Sequence, residues 1–360
     1  MTMAPLFRVI DTGVREGRAN IAFDQALIEA HKAGEIPDTI RFLTFRPSAL
    51  VGRHQSLSKE IRLDWCRENG VGTVRRITGG GALYMDEGQF GVELVFHRST
   101  LGISSLADFA RAICEAIALG LTKLGVEARY RPRNDIEVDG RKISGTGGFF
   151  DGDTLFYQAT ILAEMDPARM LKALNVPEAK LAKRALDDAG ARVTTLRTLL
   201  GEAMPARDAI QEALLAGFRE RLGIETAPGA ITAREEELAR VAFDEEIGTD
   251  DFVAEIDTPA EDAHAASMTG KGGTIEAFVR LEGEGGARRI REALITGDFF
   301  VTPPRTVLDL EAALRGTPVA EVRERIERFF AEARVGLLSA AASDFADVVE
   351  SAVCGNTVSS

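Results

Sequence analysis

Between Phe7 and about Gly223 the sequence alternates short β-branched runs with amphipathic stretches. Runs of about four to eight β-branched and aromatic residues are typical of strands, whereas apolar residues at three- and four-residue steps are typical of helices. The alternation predicts an α+β domain built on one mixed sheet. The predicted strands are Phe7–Asp11, Ile40–Thr44, Gly72–Ile77, Phe90–His97, Glu127–Tyr130, Ile136–Val138, Lys142–Gly145 and Thr154–Leu162.

The strongest local turn signal is Asp139-Gly140, which lies between two of these short strands. An Asp-Gly pair suits a two-residue hairpin turn because both turn positions need a positive φ. The pair therefore predicts a hairpin whose second strand begins at about Lys142. The clearest helix follows Ser104-Ser105, a suitable N-cap, and its apolar stripe runs from Leu106 to Leu124.

The formal net charge of −13 is concentrated in one part of the chain. From Arg234 to Asp262 there are 12 acidic and 2 basic residues, a local net charge of −10 that leaves −3 elsewhere. Such a stretch is typical of a solvated connector, which like charges would keep extended. The sequence thus predicts a large domain over residues 1–223, an acidic connector over 224–273, and a small α+β domain over 274–345.

Several classes of protein are disfavoured by composition. Lys and Arg are not clustered as a nucleic-acid interface would require, and no run approaches the about 18 apolar residues that span a bilayer. The first nine residues lack the basic and apolar regions of a signal peptide. The three cysteines show no paired spacing, so neither a disulfide framework nor a zinc site is indicated. We expect a cytoplasmic protein that binds neither nucleic acid nor membrane.

The first chemically informative segment is Arg75-Arg76-Ile77-Thr78-Gly79-Gly80-Gly81-Ala82-Leu83-Tyr84. Three glycines let the backbone turn tightly and direct N–H groups at an anion, and a neighbouring Arg can neutralise a phosphate or carboxylate. The same residues also suit an ordinary tight turn.

The second informative segment is Asn134-Asp135-Ile136, followed by Gly140–Gly145 and, further on, Thr160. Asn and Asp supply the oxygen ligands that Mg²⁺ takes beside phosphates, and a Lys on a strand can hold a carbonyl or phosphate oxygen. The alternative for Lys142 is a plain surface lysine on a hairpin.

Taken together and in this order, the segments resemble the lipoate–protein ligase family, within the wider biotin and lipoate ligase group. The first is similar to that family's Arg-Arg-x-Ser-Gly-Gly-Gly-Ala-Val-Phe signature, and the second to its catalytic-lysine strand. Further similarity covers Gly52-Arg53-His54-Gln55, Ala173–Pro177, Lys180-Leu181 and Arg192–Leu196. The tail resembles the family's C-terminal accessory domain, most clearly over Ile295–Phe300 and Leu310–Leu314.

The resemblance implies a biotin/lipoate ligase-like catalytic domain over residues 1–223 and an accessory domain over 274–345. It implies activation of lipoic acid by ATP and Mg²⁺ to lipoyl-AMP. Acyl transfer would then follow to a lysine of a lipoyl carrier protein, such as an E2 domain or a glycine-cleavage H protein. By resemblance, Lys142 is catalytic and Asp135 binds the metal. The substrate- and nucleotide-binding residues would be Arg53, Arg76, Thr78, Gly79, Gly80, Gly81, Ala82, Asn134, Ser144 and Thr160.

Two departures from the family pattern leave the acyl and acceptor preference open. Met85 follows the glycine signature where relatives usually have His, and Gln158 stands where they have the His of His-Gly-Thr. Replacing imidazole by Met or Gln changes the donor pattern of the pocket that these residues line.

Three rival functions remain at the level of sequence. An octanoyl or lipoyl transferase on the same fold would need a cysteine thiolate, yet Cys66, Cys114 and Cys354 all lie far from Lys142 in sequence. A non-catalytic lipoate- or adenylate-binding protein would not retain Arg76, Asn134, Asp135 and Lys142. Biotin is disfavoured as the acyl substrate because the small domain resembles that of the lipoate enzymes. A requirement for ATP distinguishes the ligase from the transferase.

Overall fold

The computed structural model describes residues 4–103, 105–132, 134–175, 192–256, 259–270, 273–333, 335–338 and 340–355. They form two compact units, each assembled from separate parts of the chain. The first unit contains the described residues of 4–50, 61–75 and 83–253, and the second those of 51–60, 76–82 and 254–355. The division differs from the three consecutive segments expected above, because two short N-terminal segments fold with the C-terminal part.

The strands of the described part are β1 (Leu6–Arg15), β2 (Thr39–Phe45), β3 (Ser48–Val51), β4 (Gly72–Arg75), β5 (Leu83–Met85), β6 (Phe90–His97), β7 (Arg129–Arg131), β8 (Asp135–Val138), β9 (Arg141–Asp151), β10 (Thr154–Ile161), β11 (Glu225–Pro228), β12 (His264–Gly270), β13 (Gly273–Glu282), β14 (Arg289–Gly297), β15 (Val301–Thr302) and β16 (Gly336–Leu337).

The α-helices are α1 (Gly17–Lys32), α2 (Leu57–Glu60), α3 (Leu63–Glu68), α4 (Leu106–Thr122), α5 (Pro167–Ala173), α6 (Leu196–Leu200), α7 (Arg207–Leu222), α8 (Ala233–Ala242), α9 (Asp250–Ala254), α10 (Thr306–Leu314), α11 (Val322–Glu332) and α12 (Ala342–Cys354). Among the described residues, no helix combines the length and apolar character that crossing a membrane requires.

The first unit is built on an eight-stranded sheet with the order β11-β1-β2-β6-β10-β9-β8-β7. β1 runs parallel to β2 and β11, and the other neighbouring strands are antiparallel. The predicted mixed sheet is therefore confirmed. Seven of the eight predicted strands overlap strands of this sheet, whereas Gly72–Ile77 overlaps β4, which belongs to a separate three-stranded sheet with the order β4-β3-β5. β1 extends four residues beyond its predicted end at Asp11, because pairing with β2 continues past an irregularity after that residue.

α1 is tied to the sheet by a buried ionic group around Arg41 of β2. The guanidinium donates to Asp24 of α1 at 2.6 Å and to Glu93 of β6 at 2.9 Å, and all three side chains are buried. Burial raises the pKa of both carboxyls because it disfavours their charged forms. Arg41 also donates a hydrogen bond to the amide oxygen of Asn20, at 2.8 Å. The group fixes α1 over one face of the sheet.

α4 and α7 lie on the other face of the sheet, where Cys114 of α4 meets Thr146 of β9. The two helices approach each other closely because each presents a glycine to the other. A Cβ atom on Gly217 would lie 2.2 Å from the carbonyl oxygen of Ala116, and one on Gly120 would lie 2.8 Å from that of Ala213. Larger residues at these two positions would force the helices apart.

The second unit has its own core, between the sheet β12-β13-β14 and the helices α10 to α12. Alternate residues of β13 are buried in one cluster with Phe299, which lies in the loop after β14, and Phe345 of α12. The two rings meet edge to face at 5.1 Å. The second unit thus combines a three-stranded sheet with helices, which is an α+β arrangement.

The expectation of an extended connector is wrong for residues 225–254. β11 adds to the large sheet beside β1, and α8 packs against α1. Glu235 of α8 is fully buried and accepts from both Nη atoms of Arg8, at 2.6 and 3.1 Å. Its carboxylate also accepts from the backbone N–H of Thr232 at 2.7 Å and completes a capping box. Basic partners from the N-terminal strand thus neutralise charges that appear unmatched within the segment.

Glu235→Gln is expected to destabilise the protein by about 2 kcal/mol at pH 7, because it leaves the mostly buried Arg8 without its counter-charge. Burial opposes ionisation, but the hydrogen bonds from Arg8 and Thr232 outweigh it and lower the pKa of Glu235. The stabilisation is therefore present above the unfolded pKa of about 4.3 and is lost as the pH falls through the lower folded value. Denaturant unfolding at pH 7 and pH 3 measures the difference.

Glu236→Gln is the matched control, since Glu236 pairs with Arg15 at the surface. A change within about 0.5 kcal/mol is expected for it. Equal stabilities of the two variants at pH 7 would contradict a folded, charge-paired role for α8.

Candidate functional site

The hairpin predicted at Asp139-Gly140 is present and connects β8 to β9. Asp139 has φ 51° and Gly140 has φ 76°, the left-handed conformation that a two-residue turn of this kind requires at both positions. Among the described residues, Asp139 is the only one other than glycine that has a positive φ. Asp tolerates this region better than most residues do. The turn fixes the register of the two strands and places Lys142 second on β9.

A β-bulge at Ile143 decides which face of the sheet Lys142 occupies. Asp135 pairs with Gly145 and Ile136 with Ser144, but Glu137 pairs with Lys142, so Ile143 is an extra residue on β9. Without the bulge, Lys142 and Ser144 would share a face. With it, Lys142 lies on the face of Asp135 and Gly145.

The ammonium group of Lys142 lies 2.8 Å from a carboxylate oxygen of Asp135, and both side chains are partly buried. It crosses the surface of Gly145, where a Cβ atom would lie only 2.6 Å from Nζ. The backbone of Lys142 is held as well. Its carbonyl accepts a hydrogen bond from the N–H of Thr194 at 2.8 Å, and Lys142 and Val193 form an isolated parallel β-bridge. These contacts give a structural reason for two matches to the family pattern, namely Gly145 and the segment Arg192–Leu196.

Asp135 is shared between two cations. Its other carboxylate oxygen accepts from Arg131 of β7 at 2.6 Å. Burial favours the neutral acid, but the charge of Lys142 and the hydrogen bonds from Arg131 and Lys142 outweigh it and lower the pKa of Asp135. The sequence reasoning missed Arg131. The sequence does contain a pattern that indicates this pair. Arg129 and Arg131 alternate near one predicted strand, and Asp135 and Glu137 alternate near the next, so opposite charges can face each other across the two strands.

The other predicted residues of the first unit lie around this pair. Asn134 donates its amide to the carbonyl of Thr146 at 2.5 Å and so closes the β8–β9 ladder. Thr160 pairs with Gly145 across β10 and lies on the Lys142 face. Ser144 lies on the opposite face, where its buried hydroxyl has no hydrogen-bond partner among the described residues. The structure therefore brings Lys142, Asp135 and Thr160 together and separates Ser144 from them.

Gln158 and Met85 occupy different environments. Gln158 lies between Gly147 and Glu93 on the Lys142 face of the sheet, two residues before Thr160. Met85 is buried on β5 and pairs with Ser48. Of the two departures from the family pattern, Gln158 is therefore the one whose side chain shares a face with Lys142.

Asp135 does not have the surroundings of a metal ligand. Each of its oxygens is bonded to a cationic group, and a divalent ion on either oxygen would lie close to two positive charges. Within the described ranges, no group of three or more His, Cys, Asp and Glu side chains is arranged to hold a metal ion. The expectation of a metal at Asp135 therefore does not fit the residues present.

The glycine signature belongs to the second unit, where Gly79 and Gly80 pack on the C-terminal segment. A Cβ atom on Gly79 would lie 2.2 Å from the carbonyl oxygen of Phe299, and one on Gly80 would lie 2.6 Å from the ring of Phe300. Gly80 has φ 92° and donates its N–H to Phe299 at 3.2 Å. Close packing, rather than an exposed row of N–H groups, therefore explains the first two glycines in this structure.

Arg76 holds this loop from within. It is buried, and its guanidinium donates to the carbonyls of Gly79 and Gly81 at 3.1 and 2.9 Å. Desolvation by burial lowers the pKa of Arg76 to about 10, which leaves it protonated at neutral pH. Arg76 is therefore a permanent positive charge behind the glycine loop.

The remaining predicted residues of the second unit support the same loop. Arg53 donates its backbone N–H to the carbonyl of Thr78 at 2.8 Å, and its guanidinium makes a bidentate pair with Glu255. Thr78 is buried, whereas Gly81 and Ala82 are more open, and a Cβ atom on Gly81 would come no closer than 3.8 Å to Asp298.

The thiols of the first unit are poor nucleophiles. Cys66 and Cys114 are fully buried, and desolvation raises the pKa of each to about 11. Cys114 lies 3.4 Å from the hydroxyl of Thr146, on the face opposite Lys142. Cys354 is exposed at the end of α12, in the second unit. No described thiol of the first unit is thus poised for thioester chemistry.

Comparison with known proteins identifies the family. The family model for the lipoyl protein ligase A/B catalytic domain matches residues 16–219. The chain belongs to this family, and it is therefore an enzyme of the lipoate ligase and octanoyltransferase group. A curated relative, the octanoyltransferase LipM of Symbiobacterium thermophilum, is 30% identical over 272 residues, which is 68% of this chain and 97% of the relative.

The chain is similar to several solved structures, including the following three. A bipartite lipoate protein ligase from Thermoplasma acidophilum, studied with its E2 lipoyl domain, has a TM-score of 0.62 and 25% identity over 72% of this chain and 100% of that one. Lipoate-protein ligase A bound with ATP has a TM-score of 0.61 and 26% identity over 71% and 100%. LipL1 of P. falciparum, in complex with lipoate, shares the fold over 96% of this chain and 98% of its own, with a TM-score of 0.70 and 18% identity.

Iodoacetamide at pH 8 is expected to label Cys354 and to leave Cys66 and Cys114 unmodified in the folded protein, because only the thiolate reacts and both buried thiols stay protonated. Peptide mass spectrometry measures the extent at each cysteine. Denatured protein should label at all three. Rapid modification of Cys66 or Cys114 in the native protein would show that one of them is accessible and activated.

Proposed function

We propose that this protein is an ATP-dependent lipoate–protein ligase, which converts lipoate to lipoyl-AMP and transfers the lipoyl group to a lysine of a lipoyl carrier domain. The observation that carries the proposal is the placement of Lys142. Its ammonium is fixed by Asp135 on one face of the sheet, while both thiols of the same unit are buried and protonated. The similarity to lipoate-protein ligase A bound with ATP supports the nucleotide.

The proposed chemistry needs positioning and charge more than a nucleophile from the protein. In the first step a carboxylate oxygen of lipoate attacks the α-phosphorus of ATP, and pyrophosphate leaves. In the second step the carrier's amine attacks the carbonyl carbon of the adenylate, and AMP leaves. Both steps place negative charge on oxygens beside the reacting atom, which a fixed ammonium stabilises. Lys142 is the residue proposed for this role.

The sheet beside Lys142 is partly exposed. Gly145 of β9 carries no side chain on this face, and Thr160 of β10 lies directly across from it. Gly145, Thr160 and Gln158 are all partly exposed, whereas Gly147 is buried. A bound acyl-adenylate could therefore lie against the sheet within reach of Lys142 and of the Thr160 hydroxyl. Variation at Gln158 would then alter acyl or carrier preference, because its amide replaces an imidazole on this floor.

The nucleotide-binding roles of Arg53, Arg76, Thr78, Gly79–Ala82 and Asn134 are part of the same proposal. Arg76 supplies the positive charge that favours phosphate, and Asn134 borders the Lys142 hairpin. Mg²⁺ would enter with the phosphates of ATP, since Asp135 is occupied by two cations. The acceptor would be an E2 domain or an H protein, and the unpaired cysteines suit the cytoplasm.

An octanoyltransferase is the second candidate, because the LipM relative carries that activity in its name. Transfer from an acyl thioester would not consume ATP, and it would pass through a cysteine. Pyrophosphate release with lipoate, octanoate and biotin, each with and without a carrier domain, separates the candidates. ATP-independent transfer from octanoyl carrier protein would overturn the ligase proposal.

Lys142→Ala is expected to lower lipoyl-AMP formation by at least about 100-fold, because the fixed positive charge is lost. Gly145→Ala should have a similar defect, since its methyl group would occupy the place of the Lys142 ammonium. The melting temperature of both variants should stay close to that of the wild type. Lys172→Ala, at an exposed lysine of α5, is the control and should be fully active. Normal ligation by Lys142→Ala would remove the catalytic assignment.

A variant with Cys66→Ala, Cys114→Ala and Cys354→Ser is expected to retain ATP-dependent ligation within about threefold of the wild-type rate, because no step of the proposed mechanism uses a thiol. The measurement is carrier lipoylation by intact-mass spectrometry. Loss of transfer in the triple variant, restored by returning one cysteine, would favour the thioester route instead.

A further inference from the structure

Each carboxylate oxygen of Asp135 faces a cation. One oxygen lies 2.8 Å from Lys142 Nζ and the other 2.6 Å from an Nη atom of Arg131. A Mg²⁺ ion bound to either oxygen would therefore lie within a few ångströms of both positive charges. Like charges at that separation repel strongly in a partly buried site. The residue expected to bind metal is therefore built as a counter-ion.

Arg131 is itself fixed by the edge of the sheet. It pairs with Asp135 in the register of β7 and β8, and its second Nη atom lies 3.4 Å from Glu137. Glu137 of β8 also contacts Arg129, which lies on β7 with Arg131, at 2.9 Å. The charges thus form a row across three strands, from Arg129 to Glu137, Arg131, Asp135 and Lys142.

We infer that Arg131 and Asp135 are positioning residues for Lys142, and that Asp135 does not ligate Mg²⁺. The inference rests on the proposed function, because it assigns the row of charges to the same catalytic lysine. Arg131 keeps one oxygen of Asp135 engaged, so that the other stays directed at the Lys142 ammonium. Glu137 holds Arg131 at the correct distance. Arg129 stabilises the edge without touching Asp135.

The matched pair of variants is Arg131→Met and Arg129→Met. Both remove an arginine from β7 that contacts Glu137, but only Arg131 contacts Asp135. Asp135→Asn removes the counter-charge directly, and Arg131→Lys retains a positive charge at the same place. Thermal unfolding of all four variants checks that any change is not a loss of fold.

The first measurement reads the position of Lys142 without using activity. Reductive methylation of the folded protein, followed by peptide mass spectrometry, gives the reaction rate at Lys142. Methylation is expected to be about two- to fivefold faster in Arg131→Met and Asp135→Asn, the range that a half-exposed ion pair supports. Arg129→Met should match the wild type. Adding Mg²⁺ alone should leave the wild-type rate unchanged.

The second measurement is pyrophosphate release at saturating lipoate. The kcat of Arg131→Met is expected to fall about tenfold and that of Asp135→Asn about 100-fold, because a displaced ammonium no longer meets the developing charge. The KM for ATP and the Mg²⁺ concentration for half-maximal rate should stay at wild-type values. Arg131→Lys should recover part of the lost rate.

Two outcomes would overturn the inference. If Asp135→Asn raises the Mg²⁺ requirement, and Mg²⁺ alone accelerates methylation of Lys142, then Asp135 is a metal ligand. If methylation of Lys142 is equal in the wild type, Arg131→Met and Asp135→Asn, then neither residue positions it. A wild-type protein that releases no pyrophosphate would instead defeat the proposed ligase function, and the methylation rates would still decide the role of Arg131.

Discussion

One extra residue in strand β9 governs the chemistry that this fold can present. The bulge at Ile143 turns Lys142 onto the face of Asp135 and Gly145, and it sends Ser144 to the other side. A regular strand would have placed the lysine against the helices α4 and α7, where burying an ammonium would be costly. This local change of register allows Lys142 to pair with Asp135. It also places the lysine beside Gly145 and on the same face as Thr160.

Features encoded by neighbouring residues could be predicted from the sequence. The Asp139-Gly140 turn specifies its own backbone conformation, so the hairpin and the start of β9 were placed correctly. The mixed sheet followed from strand-like runs that are buried on both faces. The bulge could not be predicted in this way, because it depends on how β9 meets β8 and on the space that Gly145 leaves for Lys142. Ser144 was grouped with Lys142 for that reason.

Features that depend on distant partners were harder to predict. The acidic segment resembled a solvated connector because its counter-charges, Arg8 and Arg15, lie more than 200 residues away in the sequence. The glycine signature showed that the backbone must come close to something, but not to what. In the structure that neighbour is the Phe299-Phe300 segment. Composition alone cannot distinguish a loop that approaches a ligand from one that approaches another part of the chain.

The hydrogen bond between Gly80 and Phe299 also limits the order in which parts of the chain can fold during synthesis. The Asp139-Gly140 hairpin needs only adjacent residues and can form as soon as it leaves the ribosome. The glycine loop, by contrast, is made early and has to wait for a segment near the end of the chain before its packing partner exists. Until then the Gly79–Gly81 backbone lacks this packing partner, even in a nascent chain that can already build the large sheet.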